Sequence, residues 1–218
     1  MLDIILWFVD FVLHLDVHLG ALIQQYGLLV YAILFLIIFA ETGLVFAPIL
    51  PGDSLLFAAG AFAAIGSLDI FALFILLATA AIIGDTVNYW IGHYLGRELI
   101  RRKSRLVNKE YLDRTKKFYD KHGGITIVIA RFVPIIRTFA PFLGGLGAMK
   151  YRKFILYNII GGIAWVSLFL FAGFFFGNIP LVKDNFSVII IAIIVISLVP
   201  AFFEFSRHLL ASRRKRKK

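Results

Sequence analysis

The sequence predicts an all-α integral membrane protein. It reads as an inverted repeat of a re-entrant helical hairpin plus a spanning helix, with further spanning helices on the flanks. Three observations point there. Hydrophobic residues make up 61% of the 218-residue chain and charged residues 17%, against roughly 45–50% and about 25% in a soluble domain. Four long runs carry no formal charge, at residues 19–40, 70–84, 154–177 and 186–203. Two other apolar stretches, about 43–66 and 125–149, are interrupted by Pro, Gly and ionised side chains. A plain membrane helix avoids these. A carboxylate at the bilayer centre costs about 2.5–3.5 kcal/mol on insertion scales, and an interior Pro removes a backbone hydrogen bond.

Composition closes several routes. The chain has no cysteine, so disulfides and thiolate metal sites are excluded. The N-terminal M-L-D-I-I-L-W-F-V-D has no basic region, so a cleaved signal peptide is not expected. The net charge of +10 could suggest nucleic acid, but the positions of the charges follow membrane topology instead. No nucleic-acid partner is expected.

Residues 1–18 mix Asp3, Asp10, Asp16, His14 and His18 with apolar residues at three- and four-residue spacing, the pattern of an amphipathic interfacial helix. His14 and His18 have metal-ligand spacing, yet no third ligand accompanies them, and no metal or other cofactor is expected. Residues 19–206 form the membrane domain. Its first run, 19–40, is long enough for one spanning helix. The first broken stretch follows, carrying Glu41, Pro48, Pro51 and Asp53. A second spanning helix runs from Ile70 to Gly96 with a polar lower half at Asp85, Asn88 and His93. Residues 97–122 form a basic segment that reads as a surface helix. The second broken stretch carries Arg131, Pro134, Arg137, Pro141 and Gly144-Gly145. Runs 154–177 and 186–203 each span, and 207–218 is a basic tail.

Lys and Arg gather on cytoplasmic loops, which tests the broken stretches. If 125–149 dips in and returns to the same side, 20 of the 23 basic residues are cytoplasmic. If it crosses, the tail lies outside. Re-entry is therefore expected, with the C-terminus cytoplasmic. The first hairpin then opens outward and the second inward. The stretches also resemble each other: Phe46-Ala-Pro-Ile-Leu-Pro-Gly52 matches Phe139-Ala-Pro-Phe-Leu-Gly-Gly145 at five of seven positions. Phe74-Ile-Leu76 pairs with Phe154-Ile-Leu156, and Gly92-x-x-x-Gly96 with Gly173-x-x-x-Gly177. Inverted repeats of this kind place a transport site where the broken segments meet.

The candidate site residues are the intramembrane charges. Buried charges persist when paired, so Glu41 and Asp53 are expected to meet Arg131 and Arg137. Glu41, at a helix end, can load and release a proton, or serve as an interfacial charge. Asp53 also suits an N-cap. The two guanidiniums offer forks suited to phosphate, with structural pairing as the rival role. Asp85 and Asn88 are supporting candidates, with interhelical hydrogen bonding as their structural reading. Pro48, Pro51, Pro134 and Pro141 shape the breaks. The basic segments are expected to touch anionic lipids.

Four segments carry a closer likeness: E-T-G-L-V-F-A-P-I-L-P-G-D-S-L-L-F from Glu41, G-D-T-V-N-Y-W-I-G from Gly84, F-Y-D-K-H-G-G from Phe118, and A-R-F-V-P-I-I-R-T-F-A-P-F-L-G-G from Ala130. With these the chain resembles the DedA family of the VTT, or SNARE-associated, superfamily, near its enterobacterial branch. The resemblance implies a multi-pass protein of the bacterial inner membrane with two re-entrant hairpins. It implies a transporter or flippase that moves undecaprenyl phosphate between leaflets for carrier-lipid recycling, driven by the proton-motive force. Polyprenyl phosphate and protons are then its partners, and Glu41, Asp53, Arg131 and Arg137 the family's functional charges. A homo-oligomer stays open. The alternative is a proton-coupled ion or drug transporter supporting envelope integrity and tolerance of alkali and osmotic stress. An enzyme is not expected: Ser206-Arg-His208 beside the tail has no carboxylate following it, so a lipid-phosphate phosphatase lacks its parts. A purely structural assembly role leaves the intramembrane charges unexplained.

Overall fold

A computed structural model describes residues 15–44, 52–96, 119, 123–183, 185–186, 188–189 and 191–193. The predicted N-terminal helix up to residue 14, the first break with Pro48 and Pro51, the basic segment apart from Tyr119, and the last span and tail beyond 193 lie outside the described residues. Within them the chain is helical and has no strand. We number the helices α1 (Leu15–Tyr26), α2 (Leu29–Gly43), α3 (Gly52–Ala64), α4 (Ile70–Ile91), α5 (Ile125–Ala130), α6 (Pro134–Leu143), α7 (Tyr151–Phe176) and α8 (Pro180–Lys183). Wider π-type turns extend α4 over Gly92–Gly96 and α6 over Gly144–Ala148.

Among the described residues, two helices are long and apolar enough to cross a membrane, Ile70–Leu95 and Tyr151–Phe176, each of 26 residues. At 1.5 Å per residue each reaches about 39 Å, against a hydrocarbon core of about 30 Å. Their faces are sorted for lipid. On α4, Phe71, Ile75, Thr79 and Ile83 form an exposed stripe, with Phe71 69% exposed. The Thr79 hydroxyl is satisfied by the Ile75 carbonyl at 2.7 Å. The opposite face buries Leu73, Leu77 and Ala81, then the polar Asp85 and Asn88. Apolar outside and polar within is the reverse of a soluble helix.

The predicted 19–40 span is not one helix. It is split between α1 and α2 at Gly27, whose φ is +51°. The Gly27 N–H caps the Ile23 carbonyl at 3.0 Å, and only Gly adopts this left-handed turn without a Cβ penalty. Uncharged composition does not reveal such a break. The helix beginning at Leu15 also runs straight through the expected boundary at residue 18.

Helix α3 has 13 residues, or about 20 Å, so it falls short of the hydrocarbon core. It is nevertheless enclosed, with Gly52–Ala61 buried on every face. Asp69 then caps α4 by accepting from the Ala72 N–H at 2.7 Å. In the second broken stretch, Val133 is extended (φ −122°, ψ 104°) before Pro134, which opens α6, as sterics before a proline require. Pro141 lies inside α6. The irregular turn after it ends at Gly147, whose φ is +126°.

One close contact is used twice. On α3 and α7, a Cβ at Gly60 would strike the Leu170 carbonyl and Phe174 nitrogen, and one at Gly173 the Phe57 carbonyl. On α6 and α4, a Cβ at Gly145 would strike the Tyr89 carbonyl and approach the His93 nitrogen, and one at Gly92 the Phe142 carbonyl. Gly92 and Gly173 are the pair expected from the repeat. The other pair differs: the contacts match Gly60 with Gly145, whereas the F-A-P-x-L-x-G likeness matches Gly52 with Gly145. Backbone approach, not the proline motif, sets the register. Gly173→Ala is expected to cost roughly 1–3 kcal/mol through overpacking and to lower the thermal midpoint in detergent. Gly144→Ala, with no atom nearer than 3.7 Å, is expected to leave it nearly unchanged.

Candidate functional site

Five ionisable side chains meet in the interior. Glu41 sits in the last turn of α2, Asp53 in the first turn of α3, Asp85 on α4, Arg131 in the turn after α5, and Arg137 on α6. None is more than 9% exposed. The turn at Arg131 exists because the chain must extend before Pro134. One helical turn further, the Arg137 N–H bonds the Val133 carbonyl at 2.9 Å. The same kink therefore aims two arginines six residues apart into one interior.

Arg137 bridges the two flanks of the first break. One guanidinium nitrogen meets Glu41 Oε1, and the other donates to Asp53 Oδ1 at 2.8 Å. Glu41 Oε1 also accepts the Gly52 N–H at 3.1 Å, so it lies at the positive end of α3. A Cβ on Gly52 would collide with the Glu41 carboxylate, which makes glycine a requirement there. Asp53, expected as an N-cap, is instead the second residue of α3, inside its first turn. Its Oδ1 accepts the Trp165 indole N–H at 2.8 Å. The Trp165 ring lies 5.5 Å from the Arg137 guanidinium carbon, within cation–π range. Trp165 thus holds both members of one ion pair.

Arg131 does not join Glu41 and Asp53. It pairs with Asp85 at 2.5 Å and donates to Asn158 Oδ1 at 2.5 Å and the Ala81 carbonyl at 3.3 Å. The expected four-charge meeting is therefore a three-charge meeting, and a second ion pair stands beside it. Asn158 is fixed in turn by donating to the Ile82 carbonyl at 2.9 Å and Thr86 Oγ1 at 3.3 Å. Gly161 leaves room for the arginine: a Cβ there would lie 3.1 Å from Arg131 Cδ. Asn88 donates to the Thr42 carbonyl at 3.2 Å and the Thr138 carbonyl at 2.8 Å. It ties the residue after Glu41 to the residue after Arg137.

Both arginines border a small cavity of about 10 Å³, lined by Thr42, Asp85, Arg131, Arg137, Thr138 and Trp165. That is room for about one water molecule. Among the described residues, Glu41 Oε2, Asn88 Oδ1, Arg131 Nε and Arg137 Nε are buried without a hydrogen-bond partner. Of the candidate prolines, Pro134 and Pro141 bracket Arg137 on α6. Sequence reasoning passed over Trp165 and Asn158. Both lie on an uncharged run, seven residues apart on one face with Gly161-Gly162 between them. That spacing was the available signal.

Asp85→Asn is expected to destabilise the fold by roughly 3–5 kcal/mol, because it leaves Arg131 buried without its counter-ion. The double variant Asp85→Asn/Arg131→Gln is expected to recover a large part of that loss. A double-mutant cycle on unfolding in detergent measures both.

Comparison with known proteins shows the family. The VTT domain model matches residues 50–175. Protein DedA of Escherichia coli K12 is 52% identical over 219 residues, covering 99% of this chain and all of that protein. The uncharacterized membrane protein Rv0364 of Mycobacterium tuberculosis H37Rv is 41% identical over 82% of this chain and 79% of its own length. The inner membrane protein YghB of Escherichia coli K12 is 32% identical over 83% and 80%. No solved structure matches the chain. The 52% identity to DedA over its full length, two long apolar helices and a buried ionic interior agree: the chain is a membrane protein of the DedA family, built on a VTT domain.

Proposed function

We propose that this protein is a proton-coupled lipid-phosphate transporter of the bacterial inner membrane, moving undecaprenyl phosphate between leaflets for carrier recycling. The observation that carries this reading is the sharing of Arg137 by Glu41 and Asp53 across the first break. A guanidinium fork suits a phosphate oxygen pair as well as it suits carboxylates. Protonating the carboxylates releases the fork, and an anionic headgroup takes it, while the polyprenyl tail stays in lipid. The helix ends at Gly52 and Pro134 lie at the breaks, where irregular backbone is tolerated because it lines an interior site. In this reading both broken segments are re-entrant, the chain is multi-pass, and its basic segments and C-terminus face the cytoplasm and its anionic lipids. The inner-membrane names of relatives such as YghB support that address.

Arg131 has a different part from Arg137. Its acceptors Asp85, Ala81 and Asn158 belong to α4 and α7, the two long helices. It is anchored in the scaffold, whereas the partners of Arg137 flank a break. That anchoring also favours the second reading, an ion or drug antiporter that needs its arginines only as counter-ions. Arg→Lys substitution separates the two, because a point charge replaces a counter-ion better than it replaces a fork.

The test is leaflet-resolved movement of a labelled polyprenyl phosphate in proteoliposomes with a pH gradient. Arg137→Ala is expected to slow movement by at least about tenfold, and Arg137→Lys to recover little of it. Full activity of Arg137→Lys, or movement indifferent to both the gradient and Arg137, would sink the phosphate reading.

A further inference from the structure

No part of the ionic site comes from the F-Y-D-K-H-G-G segment, yet its Tyr119 reaches the helix that carries Arg137. Tyr119 is 5% exposed and lies in one apolar cluster with Tyr89, Ile127, Ala130, Ala140 and Phe154. Its hydroxyl donates to the Ala140 carbonyl of α6 at 2.8 Å. Burial, and next the negative charge of Asp85, push its ionisation upward, so the hydroxyl remains a donor.

The mounting of Tyr119 is firm. Its carbonyl accepts the Gly123 N–H at 2.7 Å, and Gly123 has a φ of +64°, a left-handed glycine that closes a helical turn. A Cβ on the following Gly124 would strike the Tyr157 ring of α7, so this corner sits directly on a long helix. The acceptor side is weaker. Ala140 stands three residues past Arg137, on the same side of α6. Pro141 comes next, inside the helix, and has no N–H to offer the Arg137 carbonyl. The turn that carries Arg137 therefore lacks a backbone bond at its far end. The Ala140 carbonyl already accepts from the Gly144 N–H, so it does not need Tyr119 to be satisfied. The extra bond falls where α6 lacks one of its own.

A second tyrosine supplies the comparison. The Tyr89 hydroxyl donates to the Met149 carbonyl, also at 2.8 Å, beyond the π-type turn and far along the chain from Arg137. A buried tyrosine hydroxyl takes a partner for its own sake, and both bonds meet that need.

We propose that Tyr119 is a positioning residue: its bond to Ala140 holds the turn of α6 that aims the Arg137 guanidinium. Tyr89 makes a similar bond without that task. For transport this rests on the phosphate reading; for the seat of Arg137 it does not.

The full chain has three tryptophans. Trp7→Phe with Trp90→Phe leaves only Trp165, whose indole bonds Asp53 and faces Arg137, so its fluorescence lifetime reads the seat. In that background Tyr119→Phe is expected to shift the lifetime in the same direction as Arg137→Ala, and Tyr89→Phe to leave it as it was, although both phenylalanine variants lower the thermal midpoint. Pro141→Ala gives the Arg137 carbonyl an N–H, and is expected to restore the lifetime lost in Tyr119→Phe. In proteoliposomes, Tyr119→Phe is expected to raise the KM for labelled polyprenyl phosphate roughly three- to tenfold, with the maximal rate within about twofold. Tyr89→Phe is expected to leave KM unchanged. A lifetime unmoved by Tyr119→Phe, or moved equally by Tyr89→Phe, overturns the proposal, as does an unchanged KM in a chain that transports. Should Tyr119→Phe alone fail to fold, the double variant with Pro141→Ala decides: a wild-type lifetime supports the proposal and a disturbed one overturns it. Should the wild type move no polyprenyl phosphate, the phosphate reading fails, and the lifetime alone decides the role of Tyr119.

Discussion

One guanidinium joins the end of one helix to the start of the next. Arg137 reaches Glu41 at the end of α2 and Asp53 at the start of α3, and much of the interior is arranged to let it. Gly52 has no side chain because the Glu41 carboxylate occupies that space. Trp165 on α7 supports Asp53 from the other side. The kink before Pro134 sets the rotation of α6. Asn88 ties α2 to α6 through two carbonyls. A buried cation without these partners would be prohibitive in a membrane, so the cation and its surroundings require one another.

The second pair shows what a fixed charge looks like by contrast. Arg131 is held from two long helices, its amide partner Asn158 is itself held, and Gly161 clears its path. Such a group acts as a rivet between α4 and α7. Similar guanidiniums six residues apart on one kink have thus been given different mechanical settings.

Much of this was legible in the sequence, and for a physical reason. A charge in an apolar run is costly, so Glu41, Asp53, Arg131 and Arg137 announced themselves, as did the two long helices. The pairing was not legible. Nothing in a linear sequence says that Arg131 takes Asp85 while Arg137 takes both other acids, because that depends on helix rotation. Trp165 and Asn158 were hidden because an aromatic or an amide within an apolar helix reads as packing until its polar atom is seen to bond. The split at Gly27 was hidden because an uncharged run has the same composition whether it is straight or bent. The repeat was visible in the glycines of the spanning helices. Its register was misjudged where a proline motif was followed instead of the sites of backbone approach, Gly60 and Gly145.

The cavity between the ion pairs holds about 10 Å³, and that has a consequence for affinity. A phosphate group does not fit such a volume. On the proposed function, an anion would bind only the fraction of molecules in which the site has widened. Its apparent dissociation constant is the intrinsic one divided by that fraction. Weak binding by the resting protein would then measure how seldom the site opens, and a substitution that loosens the closed state could tighten apparent binding without touching the ligand.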